Sequence, residues 1–185
     1  MDKKRKFAII VLAAAVLLLA AVLGYNYLSE NYVPEEIENS SEPEKTPAPD
    51  FTVYDAEGNP VNLSDFSGKP VVINFWATWC GFCVKEMPAF EKAAQEYGDE
   101  VVFMMINVTD GQSETKESAM EFIAENGYTF PVYYDTDLSA TNVYGAYSLP
   151  ATGFISSEGI FIGGQMGAMS EETLFSYVEK LLETE

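Results

Sequence analysis

From Phe7 to Leu23 the chain runs 17 residues without a polar side chain, directly after Lys3, Lys4, Arg5 and Lys6. A run of that length is at the short end of what crosses a hydrocarbon core as a helix. Gly24, Tyr25, Tyr27 and Leu28 extend it toward an interfacial aromatic belt. The basic cluster ahead of it predicts that the rest of the chain faces outward. A cleaved signal peptide competes with this reading, but signal apolar regions usually hold about 7–15 residues and end at a small-x-small site. Val22-Leu23-Gly24 is a poor site, so residues 1–28 are read as an N-terminal membrane anchor in preference to a signal peptide. No Cys follows the run closely, which excludes lipid attachment there. Both readings put the remainder outside the cytoplasm, where disulfides persist. Residues 29–49 then carry six Glu, one Lys and four Pro, the signature of an extended, acidic linker.

From Asp50 onward the pattern alternates between strand and helix periods, which predicts one α/β domain over 50–185. Phe51–Tyr54 and Val61–Leu63, either side of Gly58-Asn59-Pro60, predict a short hairpin. The runs Val71–Ala77 and Val101–Val108 are almost wholly apolar, as strands covered on both faces are, and one helix-length segment separates them. Strand, crossover helix and strand make a right-handed βαβ unit. A second helix is predicted from Ser113 to Glu125, stopped by Asn126-Gly127, with a short strand at Phe130–Tyr134. Thr152–Ser156 and Ile160–Gly163 predict an antiparallel hairpin through Glu158-Gly159. The last helix begins at Ser170, and its Leu174, Phe175, Val178, Leu181 and Leu182 form one apolar stripe.

Composition narrows the function. Of 185 residues 48% are hydrophobic and 14% aromatic, enough to build a core and to exclude general disorder. The 29 acidic against 10 basic side chains leave a formal charge of -19, which repels phosphate backbones and argues against nucleic acid as a partner. There is no His. That removes Ser-His-Asp and Cys-His catalysis and His-ligated metal, and Val84 after Cys83 removes c-type haem attachment. Two cysteines remain, three residues apart, and no metal site is expected from them because further Cys or His ligands are lacking.

The chemistry concentrates at Trp79-Cys80-Gly81-Phe82-Cys83, between the first apolar strand and the helix after it. A C-x-x-C beside a βαβ pattern reads as a dithiol redox motif. In a first helical turn, unsatisfied N–H groups and the positive helix end favour a thiolate on Cys80. Cys80 is the expected nucleophile and Cys83 the buried resolving thiol. A purely structural disulfide is the bland alternative, but so short a loop constrains the unfolded chain little. Placing the helix residues at about 100° intervals gathers Cys83, Met87, Phe90, Ala93, Ala94 and Tyr97 in one apolar arc, and Glu86 falls inside it. Desolvated beneath the dithiol, Glu86 would have a raised pKa and could exchange protons with Cys83. At the arc's edge it would reach water and only favour the helix N-terminus. Asn74, polar within the buried strand, is expected to be satisfied by backbone, and Pro88 to kink the helix.

The stretch V-V-I-N-F-W-A-T-W-C-G-F-C-V-K-E-M-P resembles the membrane-anchored thioredoxin-like proteins of the TlpA/ResA group, and the resemblance extends over most of residues 49–183. It implies a thioredoxin-like α/β fold, a central mixed sheet flanked by helices, here with an N-terminal hairpin extension. It places Glu86 at the group's active-site glutamate. Gly145 to Thr152, G-x-x-x-x-P-A-T, is similar to the group's cis-proline loop. That implies a cis Leu149-Pro150 bond facing the dithiol, with the Leu149 backbone pairing an extended client chain. Trp79, Gly81 and Phe82 join Leu149 and Pro150 as the expected substrate-binding surface. The Gly-Phe dipeptide departs from the Glu-Pro or Pro-Pro of many relatives, so the redox potential does not carry over.

Gly81-Phe82 offers the thiolate no charge or extra side-chain donor, which favours a reductant over a strong oxidant. The expectation is an extracytoplasmic, membrane-anchored thiol-disulfide oxidoreductase that reduces client protein disulfides. The resemblance implies roles in cytochrome c maturation or methionine sulfoxide reductase support, a membrane-embedded thiol reductase as electron donor, and no cofactor beyond the Cys80–Cys83 pair. A disulfide-forming oxidase and a non-enzymatic extended-chain adaptor or holdase are the alternatives. A peroxidase is disfavoured because Ala77-Thr78-Trp79-Cys80 lacks a Pro-x-x-x-Thr-x-x-Cys arrangement.

Overall fold

The computed structural model of the chain describes residues 2–31 and 46–183, which divide into two compact units, Met1–Glu44 and Lys45–Glu185. In the first, the apolar run lies within one helix, α1 (Lys3–Asn31). Among the described residues no helix is long and apolar enough to cross a membrane. The side chains of Ala8, Ile10 and Val11, inside the expected anchor, fall outside that description, as does most of the expected linker.

The second unit is built on one seven-stranded sheet. In chain order it holds β1 (Thr52–Tyr54), β2 (Pro60–Asn62), β3 (Val71–Trp76), α2 (Gly81–Tyr97), β4 (Val102–Asn107) and α3 (Lys116–Asn126). After these come β5 (Val132–Tyr134), α4 (Ser139–Tyr144), β6 (Ala151–Ile155), β7 (Phe161–Met166) and α5 (Glu171–Glu183). The strand order is β2-β1-β5-β4-β3-β6-β7. β3 runs parallel to β4 and antiparallel to β6, so the sheet is mixed, as expected of a thioredoxin-like α/β fold. Thr46 and Ala48, expected in the linker, already bond to this unit, through the N–H of Phe161 and the carbonyl of Gly159.

The two long apolar strands are central because side chains on both of their faces are covered. On β3, Val72 and Trp76 join a core with Phe90 of α2 and Leu174, Val178 and Leu181 of α5. Val71, Ile73 and Phe75 join a second core on the other face with Leu63, Met104 and Ala140. Each such large side chain contributes roughly 1.5–3 kcal/mol on burial.

The structure departs from the expected elements in three places. Leu63, expected in the hairpin, begins a 3-10 turn over Leu63–Phe66. α3 starts at Lys116 rather than Ser113. The Asp110 carboxylate accepts the N–H groups of Gln112, Ser113 and Glu114, tying the chain into a loop before Thr115 caps the helix. α4 was not expected. Its amides at Ala140 and Thr141 are held by the buried Asp135 carboxylate from outside the helix, and its cap residue Leu138 is left-handed at φ 59°. Pro88 lies inside α2 with its ring exposed, and the helix continues through it to Tyr97.

Candidate active site

β3 ends at Trp76 and four residues carry the chain to α2. Cys80 is the N-cap of that helix, in extended conformation at φ -83°, ψ 94°, and its sulfur accepts the Cys83 N–H at 3.1 Å. Cys80 and Cys83 form a disulfide with S–S 2.03 Å and Cα–Cα 5.2 Å. Both sulfurs lie at the first turn, where free N–H groups and the helix dipole favour negative charge. Cys80 is 6% exposed and Cys83 fully buried. Beside them Trp79 and Phe82 are 58% and 64% exposed, an unusual state for large aromatics. The Lys85 Nζ sits over the Phe82 ring, 5.4 Å from its centroid. Gly81, Phe82 and Lys85 line a pocket of about 190 Å³.

Glu86, one turn beyond Cys83, is only 4% exposed. Its Oε2 accepts the Met169 N–H at 2.8 Å, and its Oε1 accepts the Asn74 side-chain amide at 2.8 Å. Burial raises its pKa, and these two hydrogen bonds offset the rise in part. The water-reaching alternative for Glu86 therefore does not hold. Asn74 also differs from expectation: its amide serves side chains, not backbone, donating to Glu86 and to Thr152 Oγ1 at 3.0 Å.

A second buried carboxylate organises the approach to the dithiol. Glu114 accepts the Thr78 N–H at 3.1 Å, the Thr78 hydroxyl at 2.6 Å and the Asn107 amide at 2.7 Å. It thus pins the segment just before Trp79 and Cys80. No sequence pattern marks Glu114, Asn107, Thr152 or Met169 as residues of the site. The nearest to a signal is Asn107, a polar residue ending an apolar strand directly opposite Trp76, as Asn74 interrupts its neighbour.

The Leu149–Pro150 bond is cis. Pro150 is buried and its carbonyl accepts the Gly167 N–H at 2.8 Å, whereas Leu149 is half-buried and precedes the β6 ladder. Among the described residues no group of three or more His, Cys, Asp or Glu side chains could hold a metal ion.

A disulfide at a helix cap, next to the central strand of a mixed sheet and above a buried carboxyl, defines a thiol-disulfide oxidoreductase of thioredoxin-like fold. Residues 43–182 match the Redoxin family, and the chain belongs to it. The thiol-disulfide oxidoreductase ResA of Bacillus subtilis is 32% identical over 179 residues, covering 96% of this chain and 94% of that protein. The thioredoxin-like protein YneN of the same organism is 31% identical over 159 residues, covering 86% and 90%. The TlpA/ResA resemblance is upheld. Among solved structures, the exposed lipoprotein thioredoxin of Streptococcus pneumoniae superposes with TM-score 0.63 at 28% identity, covering 73% of this chain and 99% of that one. A secreted disulfide oxidoreductase of Mycobacterium tuberculosis gives 0.60 at 26%, covering 70% and 95%.

Proposed function

We propose that the chain reduces protein disulfides outside the cytoplasm, held to the membrane by its N-terminal helix. The Cys80 thiolate attacks a client disulfide, joining its sulfur to one client sulfur and expelling the other as a thiolate. Cys83 passes its proton to the Glu86 carboxylate. The resulting thiolate attacks the Cys80 sulfur, which breaks the mixed disulfide and releases the second client thiolate. Two electrons have then moved from the dithiol to the client, the Cys80–Cys83 disulfide has formed, and the Glu86 proton goes to the departing thiolate or to solvent. No cofactor is needed beyond the cysteine pair. A membrane-embedded thiol reductase restores the dithiol by the same exchange in reverse.

The observation that carries the reductant direction is the sparse support of the Cys80 sulfur. It accepts the Cys83 N–H, Gly81 and Phe82 bring no polar side chain, and the nearby Lys85 ammonium sits on the Phe82 ring. A weakly stabilised thiolate makes the dithiol reducing. Trp79, Phe82 and the Leu149 backbone ahead of Pro150 receive the client. Cytochrome c maturation and methionine sulfoxide reductase support are the two roles that the TlpA/ResA resemblance implies for the chain. Anchoring is supported by the 17-residue apolar run of α1 and the basic residues before it.

The test is the equilibrium potential of the Cys80–Cys83 couple, with trapping on a Cys83→Ser variant. A potential near about -250 mV, with client proteins held on Cys80, supports the proposal, and one near about -120 mV makes the chain an oxidase.

A further inference from the structure

Buried polar atoms are almost always paired, and Asn74 Oδ1 is buried among the described residues with no partner, although the other end of the same amide makes two bonds. The identity of the neighbours dictates that orientation. An ionised carboxylate only accepts, so the amide must turn its N–H groups toward Glu86 Oε1. The Thr152 hydroxyl can accept or donate, and here it accepts.

Taking up a proton changes this arrangement in a determinate way. The Met169 N–H is a fixed donor and keeps Oε2 an acceptor. The proton therefore belongs on Oε1, the oxygen that faces Asn74 at 2.8 Å. Two donors would then oppose each other in a buried site, which is costly. A half-turn of the amide about its terminal bond removes this clash of donors, and it carries the Asn74 N–H groups to the side where Oδ1 had no partner. The previously unpartnered Oδ1 then accepts from Glu86 Oε1–H and from the Thr152 hydroxyl, each of which is able to donate. The groups around the carboxyl are Asn74 from β3, the Met169 N–H ahead of α5, and Cys83 one turn earlier on α2. Thr152 of β6 lies behind Asn74. Among the described residues no charged side chain pairs with the carboxyl.

We propose that Asn74 is a positioning residue that follows the proton on Glu86, presenting N–H to the carboxylate and Oδ1 to the carboxylic acid, with Thr152 following the turn. The inference rests on Glu86 as the proton acceptor in the proposed reaction and adds what moves when it is occupied. Because Thr152 stands two residues after Pro150, the turn carries the protonation state of Glu86 to the strand that follows the client-binding loop.

The experiment uses the oxidised full-length chain in detergent micelles, labelled with 15N at asparagine. The Asn74 side-chain resonances are assigned by their loss in Asn74→Leu and followed through a pH titration across the carboxylate range. They are expected to move in one step with the Glu86 titration. In Glu86→Gln, Met169 keeps the glutamine oxygen, so the glutamine N–H faces Asn74 as the acid's O–H does. Asn74 should then resonate at the acid-form position at every pH. Thr152→Val, which removes the second acceptor, should shift the high-pH position of the resonances without abolishing the step. Stationary Asn74 resonances while Glu86 titrates overturn the proposal, as does a Glu86→Gln variant fixed at the high-pH position. These readings come from the resting protein, so they stand apart from disulfide-reduction assays, whose failure would instead count against the proposed reaction.

Discussion

Because burial, partly offset by the Met169 N–H and the Asn74 amide, raises the Glu86 carboxyl above its ordinary 4.5, the folded chain holds that proton more tightly than the unfolded chain. Stability from this group is fully present below the unfolded pKa and is lost as pH rises through the folded one. Glu86→Gln, which has no charge to bury, is expected to unfold at a higher temperature than the parent at neutral pH. The difference should shrink as pH falls to 4.5 and below. Thermal unfolding of both oxidised chains across that range checks the sign. The cysteine pair and Glu86 were legible because their spacing is local: three residues make one helical turn and put all three side chains on one side. The partners of Glu86 were not. Met169 is 83 positions away and meets the carboxyl only after α5 has docked, and the Asn74–Thr152 pair spans 78 positions.

Strands β3 and β4 could be read directly, since a strand covered on both faces has no polar period and both runs have none. α4 could not, because its N-terminal amides are bound by Asp135, upstream of the cap residue, and six residues carry too little periodicity to stand out. The β6–β7 hairpin shows what a pattern of apolar residues leaves out. Gly164 pairs with Gly153 across the ladder, and a Cβ at Gly164 would stand 2.6 Å from the Thr152 carbonyl oxygen and 3.2 Å from the Phe161 ring. The carbonyl is backbone and cannot swing aside. Gly164→Ala is therefore expected to destabilise the domain by about 1–3 kcal/mol, as overpacking does. A lowered denaturant midpoint with an unchanged slope checks it.

At the scale of the whole molecule, 22 of the 29 acidic residues but only five of the 10 basic ones follow residue 49, so the catalytic unit carries a strong negative field. Reduction of a basic disulfide peptide should be faster than that of an acidic one at low ionic strength. The gap should close as salt shortens the Debye length from about 30 Å toward 8 Å. Second-order rate constants for two peptides of equal length, measured across a salt series, read this directly.

Cys83 is sealed in the core while Cys80 keeps a small opening, so the redox pair has a single doorway. Client and electron donor must use it by turns. Double-reciprocal plots of initial rate against client concentration at several donor concentrations should accordingly be parallel, the ping-pong pattern. Excess donor should slow turnover by occupying the threshold the client needs. Intersecting lines would mean that both partners stand on the protein together, which a lone accessible sulfur does not permit.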